Sequence, residues 1–225
     1  RKLERQDSLD RSVVITTIVS SAMADEVAEA YGFELRRVLT GFKYIGEQIA
    51  MLEAAGEASR FMFGFEESYG YLAGTHVRDK DAVVASMLIC QMAQYYKLQG
   101  KNLVEAMRDL YEKHGYYHNK TVSLSYPGAD GAAKMAGIMK SLRDEAPAEI
   151  AGSKVEAVVD YATCVNGLPA ADVIEFDLEG GNKAIVRPSG TEPKIKLYIF
   201  AKGEDAAAAD ALIAAIEEDG RKLLS

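Results

Sequence analysis

The residues with the most distinctive chemistry lie at 187–194, where the sequence reads RPSGTEPK between two predicted strands. Two prolines and Gly190 restrict this loop, so that its backbone amides can converge on an anion. Ser189 and Thr191 add hydroxyl donors, and the planar guanidinium of Arg187 suits phosphate oxygens. Three lysines lie nearby: Lys183, Lys194 and Lys196. The loop predicts a phosphate-binding site, although a rigid hairpin with solvated lysines would use the same residues.

A second cluster of polar side chains occupies residues 64–71, where GFEESYGY follows an apolar, strand-like segment. Carboxylates at strand ends can accept hydrogen bonds from neighbouring sugar hydroxyls, and Ser68 can add another contact. Paired carboxylates also suit general acid–base chemistry or a metal site. Adjacent strand residues point to opposite faces, so Glu66 and Glu67 would be separated if the strand continued through them. A solvated loop with one structural ion pair is the alternative.

Two further loops carry polar residues beside predicted elements. Residues 40–43 (TGFK) end a short strand, and residues 75–81 (THVRDKD) precede a long apolar helix. Lys80 in the second loop can reach a phosphate or pair with a neighbouring aspartate. The three histidines lack the spacing of metal ligands, so we expect no zinc site. The sequence also lacks a Walker loop, a dinucleotide fingerprint and a G-x-S-x-G elbow.

Strands and helices that alternate in the first half of the chain must position these loops. β-branched and aromatic segments predict strands at 13–19, 34–40 and 61–65. Helices are predicted to begin at Ser20 or Ser21, at Asp79 or Asp81, and at Asn102. They are expected to end at Gly32, Gly100 and Gly115. The alternation predicts an α/β domain with a mixed sheet over residues 1–115.

The second half predicts a smaller α+β domain over residues 116–225, with an antiparallel sheet flanked by helices. Its strands are expected at 121–126, 155–161, 173–178, 183–186 and 195–201, with a hairpin turn at 180–182. One helix is expected to end near Leu142. A last helix at 205–223 places Leu212 and Ile216 on one face.

The composition is that of an ordinary globular protein: 225 residues, 48% hydrophobic, 27% charged, and a formal net charge of −8. The sequence pI near 5.0 argues against a general nucleic-acid-binding protein and makes any basic cluster more informative. No segment predicts a membrane span or a secretion signal, so we expect a cytoplasmic protein without membrane partners. Cys90 and Cys164 are expected to be buried free thiols.

Taken together, four motifs resemble the α-D-phosphohexomutase family, and most closely its phosphoglucomutase/phosphomannomutase members. The motifs lie in the family's order across nearly the whole chain: residues 40–43, 64–70, 78–81 and 187–193. The resemblance implies an isomerase of carbohydrate metabolism that interconverts hexose 1-phosphate and hexose 6-phosphate. The reaction would pass through a phosphoserine and a bisphosphorylated sugar, which also serves as activator, with Mg²⁺ as cofactor.

The resemblance also implies roles for individual residues. Glu66 and Ser68 match the loop that holds the sugar hydroxyls, and Thr40 and Gly41 match the loop that helps to set sugar orientation. Lys80 matches a lysine on the phosphate side of the ligand. A mobile loop that binds the non-reacting phosphate is matched by Arg187, Ser189, Gly190 and Thr191, with Lys196 as an additional contact.

Two family motifs have no match in this chain: the T-x-S-H-N-P segment of the phosphoserine and the D-x-D-x-D-R magnesium loop. Residues 7–11 (DSLDR) have the wrong spacing for the latter, and the first residue is Arg1. We therefore expect the C-terminal two domains of a longer enzyme, inactive without its N-terminal domains. A non-catalytic sugar-phosphate-binding module, or a mutase for pentose or N-acetylhexosamine phosphates, are the alternatives.

Overall fold

The computed structural model describes residues 11–225, and contacts within the chain divide it into two compact units between His114 and Gly115. No helix in the described range combines the length and the apolar character that a bilayer crossing requires.

Within residues 11–114, the first unit contains four strands and four helices. The strands are β1 (Val13–Thr17), β2 (Glu34–Val38), β3 (Phe61–Phe65) and β4 (Tyr71–Leu72). The helices are α1 (Met23–Tyr31), α2 (Phe42–Ala54), α3 (Ala82–Leu98) and α4 (Leu103–His114), and a 3₁₀ turn spans Ala58–Arg60.

The sheet of the first unit has the order β2-β1-β3-β4. β1 pairs in parallel with β2 and with β3, and β4 is antiparallel to β3. As expected for a central parallel strand covered on both faces, all five residues of β1 are buried. The predicted mixed α/β architecture is therefore confirmed.

Local signals in the sequence explain most of the element ends in this unit. Gly32 ends α1 in the left-handed region with φ 69°. Of the two aspartates considered for α3, Asp81 is the N-cap, and its carboxylate accepts from the N–H groups of Val83 and Val84. Asn102 caps α4 through its side-chain oxygen.

The first unit departs from the sequence-based expectations in three places. α2 was not predicted, although Ile45, Ile49 and Leu52 form its buried stripe. The helix expected to begin at Ser20 or Ser21 begins at Met23: the Ser20 hydroxyl is bonded to the Thr17 side chain, whereas the Ser21 hydroxyl accepts from the Met23 N–H at 3.3 Å. Cys90 is exposed, because α3 has no fully buried residue.

The second unit contains six strands and two helices. The strands are β5 (Tyr116–Ser125), β6 (Glu149–Ile150), β7 (Ser153–Asp160), β8 (Ile174–Leu178), β9 (Asn182–Pro188) and β10 (Lys194–Gly203). The helices are α5 (Gly131–Asp144) and α6 (Ala206–Leu223). The sheet order is β5-β10-β9-β8-β7-β6, and all neighbouring pairs are antiparallel.

One face of this sheet carries the hydrophobic core of the unit, because alternate strand residues meet the apolar sides of α5 and α6. Met139 and Leu142 of α5 and Ile216 of α6 pack there against inward-facing strand residues such as Phe176 and Leu197. The predicted antiparallel sheet with flanking helices is confirmed. The expectation for Cys164 is wrong, because it is exposed in the connection between β7 and β8.

Candidate functional site

Parallel pairing brings the carboxyl ends of β1, β2 and β3 to one edge of the sheet. The Ile18 N–H donates to the Val38 carbonyl at 2.8 Å, and the Thr16 hydroxyl donates to the Phe65 carbonyl at 2.9 Å. The chain leaves β1 toward β2 on one side and returns to β3 on the other side. In open α/β sheets, ligands bind at the carboxyl ends of the strands beside such a reversal.

Glu66 immediately follows β3 at this edge and is only 6% exposed. Its Oε1 accepts a hydrogen bond from the Gly41 N–H at 3.0 Å. Gly41 has φ 127°, a conformation that side chains disfavour, so glycine is required for this amide to face the carboxylate. The two sequence motifs at 40–43 and 64–71 therefore meet through this one bond.

The Lys80 side chain passes over Gly70 and lies beside the Glu66 carboxylate. A Cβ added at Gly70 would lie 2.7 Å from Lys80 Cδ and 3.0 Å from Glu66 Oε2, so any larger residue would displace the lysine. The Lys80 ammonium pairs with Asp79 at 2.9 Å and lies 5.4 Å from the centre of the Phe42 ring. The predicted pairing with a neighbouring aspartate is thus present.

Burial raises the pKa of the Glu66 carboxyl, and the charge of Glu67 raises it further. The charge of Lys80 and the hydrogen bond from Gly41 oppose this shift but do not outweigh it. The carboxylate is thus held partly desolvated beside a cation and one backbone donor. Such a group accepts strong hydrogen bonds from hydroxyls that replace its lost hydration.

The turn after Glu66 presents an exposed tip. The Glu66 N–H donates to the Gly70 carbonyl at 2.9 Å, which closes the turn and leaves Ser68 exposed. Tyr69 is 86% exposed and adopts φ 64°, an uncommon conformation for an aromatic residue. Thr40 Oγ1 is buried and has no hydrogen-bond partner among residues 11–225.

Sequence reasoning missed a hydroxyl pair that fixes the neighbouring carboxylate. Glu67 Oε2 accepts from the Thr17 hydroxyl at 3.0 Å, and Thr17 also bonds to Ser20 at 3.0 Å. Glu66 and Glu67 therefore have separate partners, as their opposite directions require. The signal that could have revealed this arrangement is a pair of threonines at the carboxyl end of an otherwise apolar strand.

In the second unit, Arg187 of β9 lies directly opposite Lys196 of β10 in the antiparallel ladder. Ser123 of β5 lies opposite Lys196 on its other side, so the three residues form one row across the sheet. Within residues 11–225, neither cation has a carboxylate or hydrogen-bond partner. Like charges that face each other across a ladder are unfavourable, and an anion between them would remove that repulsion.

Two amides of the loop that joins β9 to β10 share one acceptor. The N–H groups of Thr191 and Glu192 point to Ser189 Oγ at 3.4 and 3.3 Å, and the Ser189 N–H donates to the Lys194 carbonyl at 2.8 Å. Gly190 is open to solvent. Because the two bonds to Ser189 Oγ are long, an anion can compete for these amides.

Two of the lysines assigned to the basic patch are paired. Lys183 bonds Glu175 at 2.5 Å and Asp177 at 2.8 Å. Burial opposes its charge, but hydrogen bonds to both carboxylates outweigh burial and raise the Lys183 pKa. Lys194 pairs with Glu192 at 3.0 Å. The register therefore reduces the free basic patch to Arg187 and Lys196.

The described residues do not fit the Mg²⁺ site that the sequence resemblance implies. Nowhere in residues 11–225 do three His, Cys, Asp or Glu side chains converge as metal ligands. The segment that came nearest to the magnesium motif, residues 7–11, falls outside the described residues except for Arg11.

Two family models match the chain in succession. Residues 1–114 match "Phosphoglucomutase/phosphomannomutase, alpha/beta/alpha domain III", and residues 129–218 match the C-terminal domain of the same family. The chain belongs to the phosphoglucomutase/phosphomannomutase family.

Relatives in this family are much longer than the chain. A Haemophilus influenzae protein named "Probable phosphomannomutase" is 35% identical over 223 residues, which cover 99% of the chain and 43% of that protein. A Staphylococcus epidermidis phosphoglucomutase is 36% identical over 88% of the chain and 38% of its own length. The chain thus spans about two fifths of these relatives.

The solved structures support the family fold. The open form of parafusin, a phosphoglucomutase from Paramecium, matches 95% of the chain and 37% of its own chain, with a TM-score of 0.70 at 20% identity.

For this phosphoglucomutase/phosphomannomutase chain, the candidate site residues divide between the units: Thr40, Gly41, Glu66, Ser68 and Lys80 in the first, and Arg187, Ser189, Gly190, Thr191 and Lys196 in the second.

We predict that Glu66→Gln stabilises the chain at pH 7. The folded state holds the Glu66 pKa above its unfolded value, so folding stability is lost as the pH rises from about 4.5 and the carboxylate ionises. Glutamine keeps an oxygen for the Gly41 N–H and removes the buried charge. Thermal unfolding should show a higher midpoint at pH 7 and a difference that shrinks toward pH 4.5. A difference that grows at acid pH would contradict the assignment.

Tyr69 offers a stability test that separates backbone strain from side-chain contacts. Because a left-handed conformation costs a residue with a Cβ about 1–2 kcal/mol, Tyr69→Gly should be more stable than Tyr69→Ala by about 1 kcal/mol. Urea unfolding of both variants measures the difference. Equal stability of the two variants would show that the turn does not impose this conformation.

Proposed function

We propose that this chain is the substrate-binding C-terminal part of a mutase that interconverts hexose 1-phosphate and hexose 6-phosphate. The reaction passes through a phosphoserine and a bisphosphorylated sugar, and the nucleophile and the Mg²⁺ belong to domains other than these two. The observation that carries the proposal is the facing pair of cations, Arg187 and Lys196, which have no partner within residues 11–225.

The second unit would supply the phosphate contact. Arg187 can place its guanidinium fork against two phosphate oxygens, and Lys196 adds a point charge on the neighbouring strand. The amides of Thr191 and Glu192 can turn from Ser189 Oγ to the same phosphate. A dianion suits this set better than a carboxylate, because two cations and several donors converge on it.

The first unit would supply the contact to the sugar hydroxyls. Glu66 is oriented by the Gly41 amide and is partly desolvated, and exposed Ser68 lies two residues away. A carboxylate can accept from two adjacent hydroxyls, and those near the middle of a hexose occupy similar places when the sugar is reversed. This property suits a reaction that must present both ends of one sugar to the same phosphoryl donor.

Positioning and electrostatic stabilisation account for most of the catalysis of phosphoryl transfer. In the proposed mechanism, the chain holds the non-reacting end of the substrate, and another part of the polypeptide carries the phosphoryl donor. A loop that closes over the phosphate would also exclude water, which limits loss of the phosphoryl group to hydrolysis. Carbohydrate phosphates, rather than nucleic acid, are the partners of such a chain.

Arg187→Ala should weaken binding of inorganic phosphate to the chain by about tenfold or more, since a hydrogen bond to a charged group contributes roughly 1.5–3 kcal/mol. Arg187→Lys should recover part of this loss because it keeps the charge but not the fork. Calorimetric titration of each variant provides the dissociation constants.

The matched control is Arg221→Ala, which removes an arginine of α6 that is paired with Glu217. It should leave phosphate affinity within twofold. Equal affinities for the Arg187 and Arg221 variants would contradict the phosphate site. Turnover of glucose 1-phosphate by the 225-residue chain alone would contradict the placement of the phosphoryl donor outside it.

Glu66→Gln should weaken binding of glucose 6-phosphate by roughly tenfold, while the affinity for inorganic phosphate stays within twofold. The reason is that the carboxylate contacts hydroxyls, which inorganic phosphate lacks. Glu47→Gln on the exposed side of α2 is the matched control, and it should change neither affinity. An equal loss for both ligands would show that Glu66 acts on the phosphate or on the fold rather than on the sugar.

A further inference from the structure

α3 is an apolar helix that lies largely in solvent. Only one of its 17 residues, Lys97, carries a charge, yet none of its side chains is fully buried. Val83 is 80% exposed and Leu98 is 79% exposed. Surface helices of globular proteins carry charged residues on their outer face, and helices that are apolar all round are buried. The composition of α3 therefore indicates a helix that is covered in its functional setting.

The exposed apolar surface continues onto α4, which packs beside α3. Val83, Met87 and Leu98 recur at spacings that place them on one side of α3. We call the whole surface the α3–α4 face; its exposed large side chains are Val83, Met87, Ile89, Met92, Tyr95, Leu98, Val104 and Met107. Exposed apolar surface of this extent marks an interaction site.

The occupant is indicated by what the family relatives contain and this chain does not. The two matches are to domain III and to the C-terminal domain, so the unmatched part of the relatives, more than half of their length, precedes this match. Residue 11 leads directly into β1, and β1 belongs to the same unit as α3. Polypeptide that precedes β1 is therefore tethered to the unit that carries the α3–α4 face.

We propose that the α3–α4 face is the docking surface for the N-terminal part of the full-length polypeptide. The partner surface that faces α3 is predominantly apolar, because a charge placed there would find only Lys97 along that helix. Tethering favours this occupant over a second copy, since a covalently linked partner binds at a high effective concentration. The proposal rests on family membership and does not depend on the phosphate or sugar contacts.

Cys90 provides a direct probe, because it lies between Met87 and Leu98 on the same side of α3 and is exposed in this chain. The rate of its reaction with a thiol reagent is measured in Cys164→Ser versions of two proteins: the 225-residue chain and the full-length polypeptide that contains it. We expect at least a tenfold slower reaction in the full-length polypeptide. Cys164, measured in the Cys90→Ser versions, is the control thiol.

Equal reactivity of Cys90 in the two proteins would overturn the proposal. Protection in the 225-residue chain that rises with protein concentration, together with a dimer in sedimentation, would assign the face to a second copy and would also overturn it.

A pair of substitutions tests the same face without relying on the thiol. Val83→Glu combined with Met87→Glu should lower the unfolding midpoint of the full-length polypeptide by several degrees and leave that of the 225-residue chain within about one degree. Met51→Glu, which changes an exposed apolar residue of α2, is the matched control and should have no effect in either protein. Equal shifts in the two proteins would show that no part of the longer polypeptide covers α3.

Discussion

Parallel pairing of β1 with both of its neighbours is the constraint on which the first unit depends. It brings three strand ends to one edge, and the residues after those ends carry the polar chemistry of the unit. A single bond, from the Gly41 N–H to the Glu66 carboxylate, then joins the loop after β2 to the turn after β3. The position of Lys80 depends on the same arrangement, because its stem passes across Gly70 beside that carboxylate.

Antiparallel register has the corresponding role in the second unit, where it decides which cations are free. Lys183 faces Asp177 across the β8–β9 pair and is neutralised, whereas Arg187 faces Lys196 across the β9–β10 pair. Lys183 and Arg187 lie on the same face of β9, four residues apart, so their different cross-strand neighbours separate a structural ion pair from a site that can receive an anion. On a chain of net charge −8, such a pair provides a local positive charge that can attract an anion.

Secondary-structure elements could be predicted where the local sequence signals agree with the burial found in the fold. Side-chain contacts that depend on the pairing of strands could not be predicted. The strand at 61–65 and the turn at 180–182 were recognisable because apolar runs and consecutive glycines mark them. The pairing of Lys183 with Glu175, eight residues away in the chain, could not be predicted, since it depends on the register between β8 and β9. Cys90 was expected to be buried because apolar neighbours normally indicate a core, and in α3 they do not lie in one.

The exposure of Cys90 on α3 and the destabilising features of the candidate site have a common physical explanation. A desolvated Glu66, a left-handed Tyr69 and an exposed apolar α3 each make the isolated fold less stable than its composition would allow. Selection for stability alone would remove them, because a glycine, an amide or a surface lysine would serve better at these positions. Their coexistence in one unit is explained if the unit also contacts a ligand and covalently linked polypeptide. Those contacts would then offset the folding stability that the isolated unit lacks.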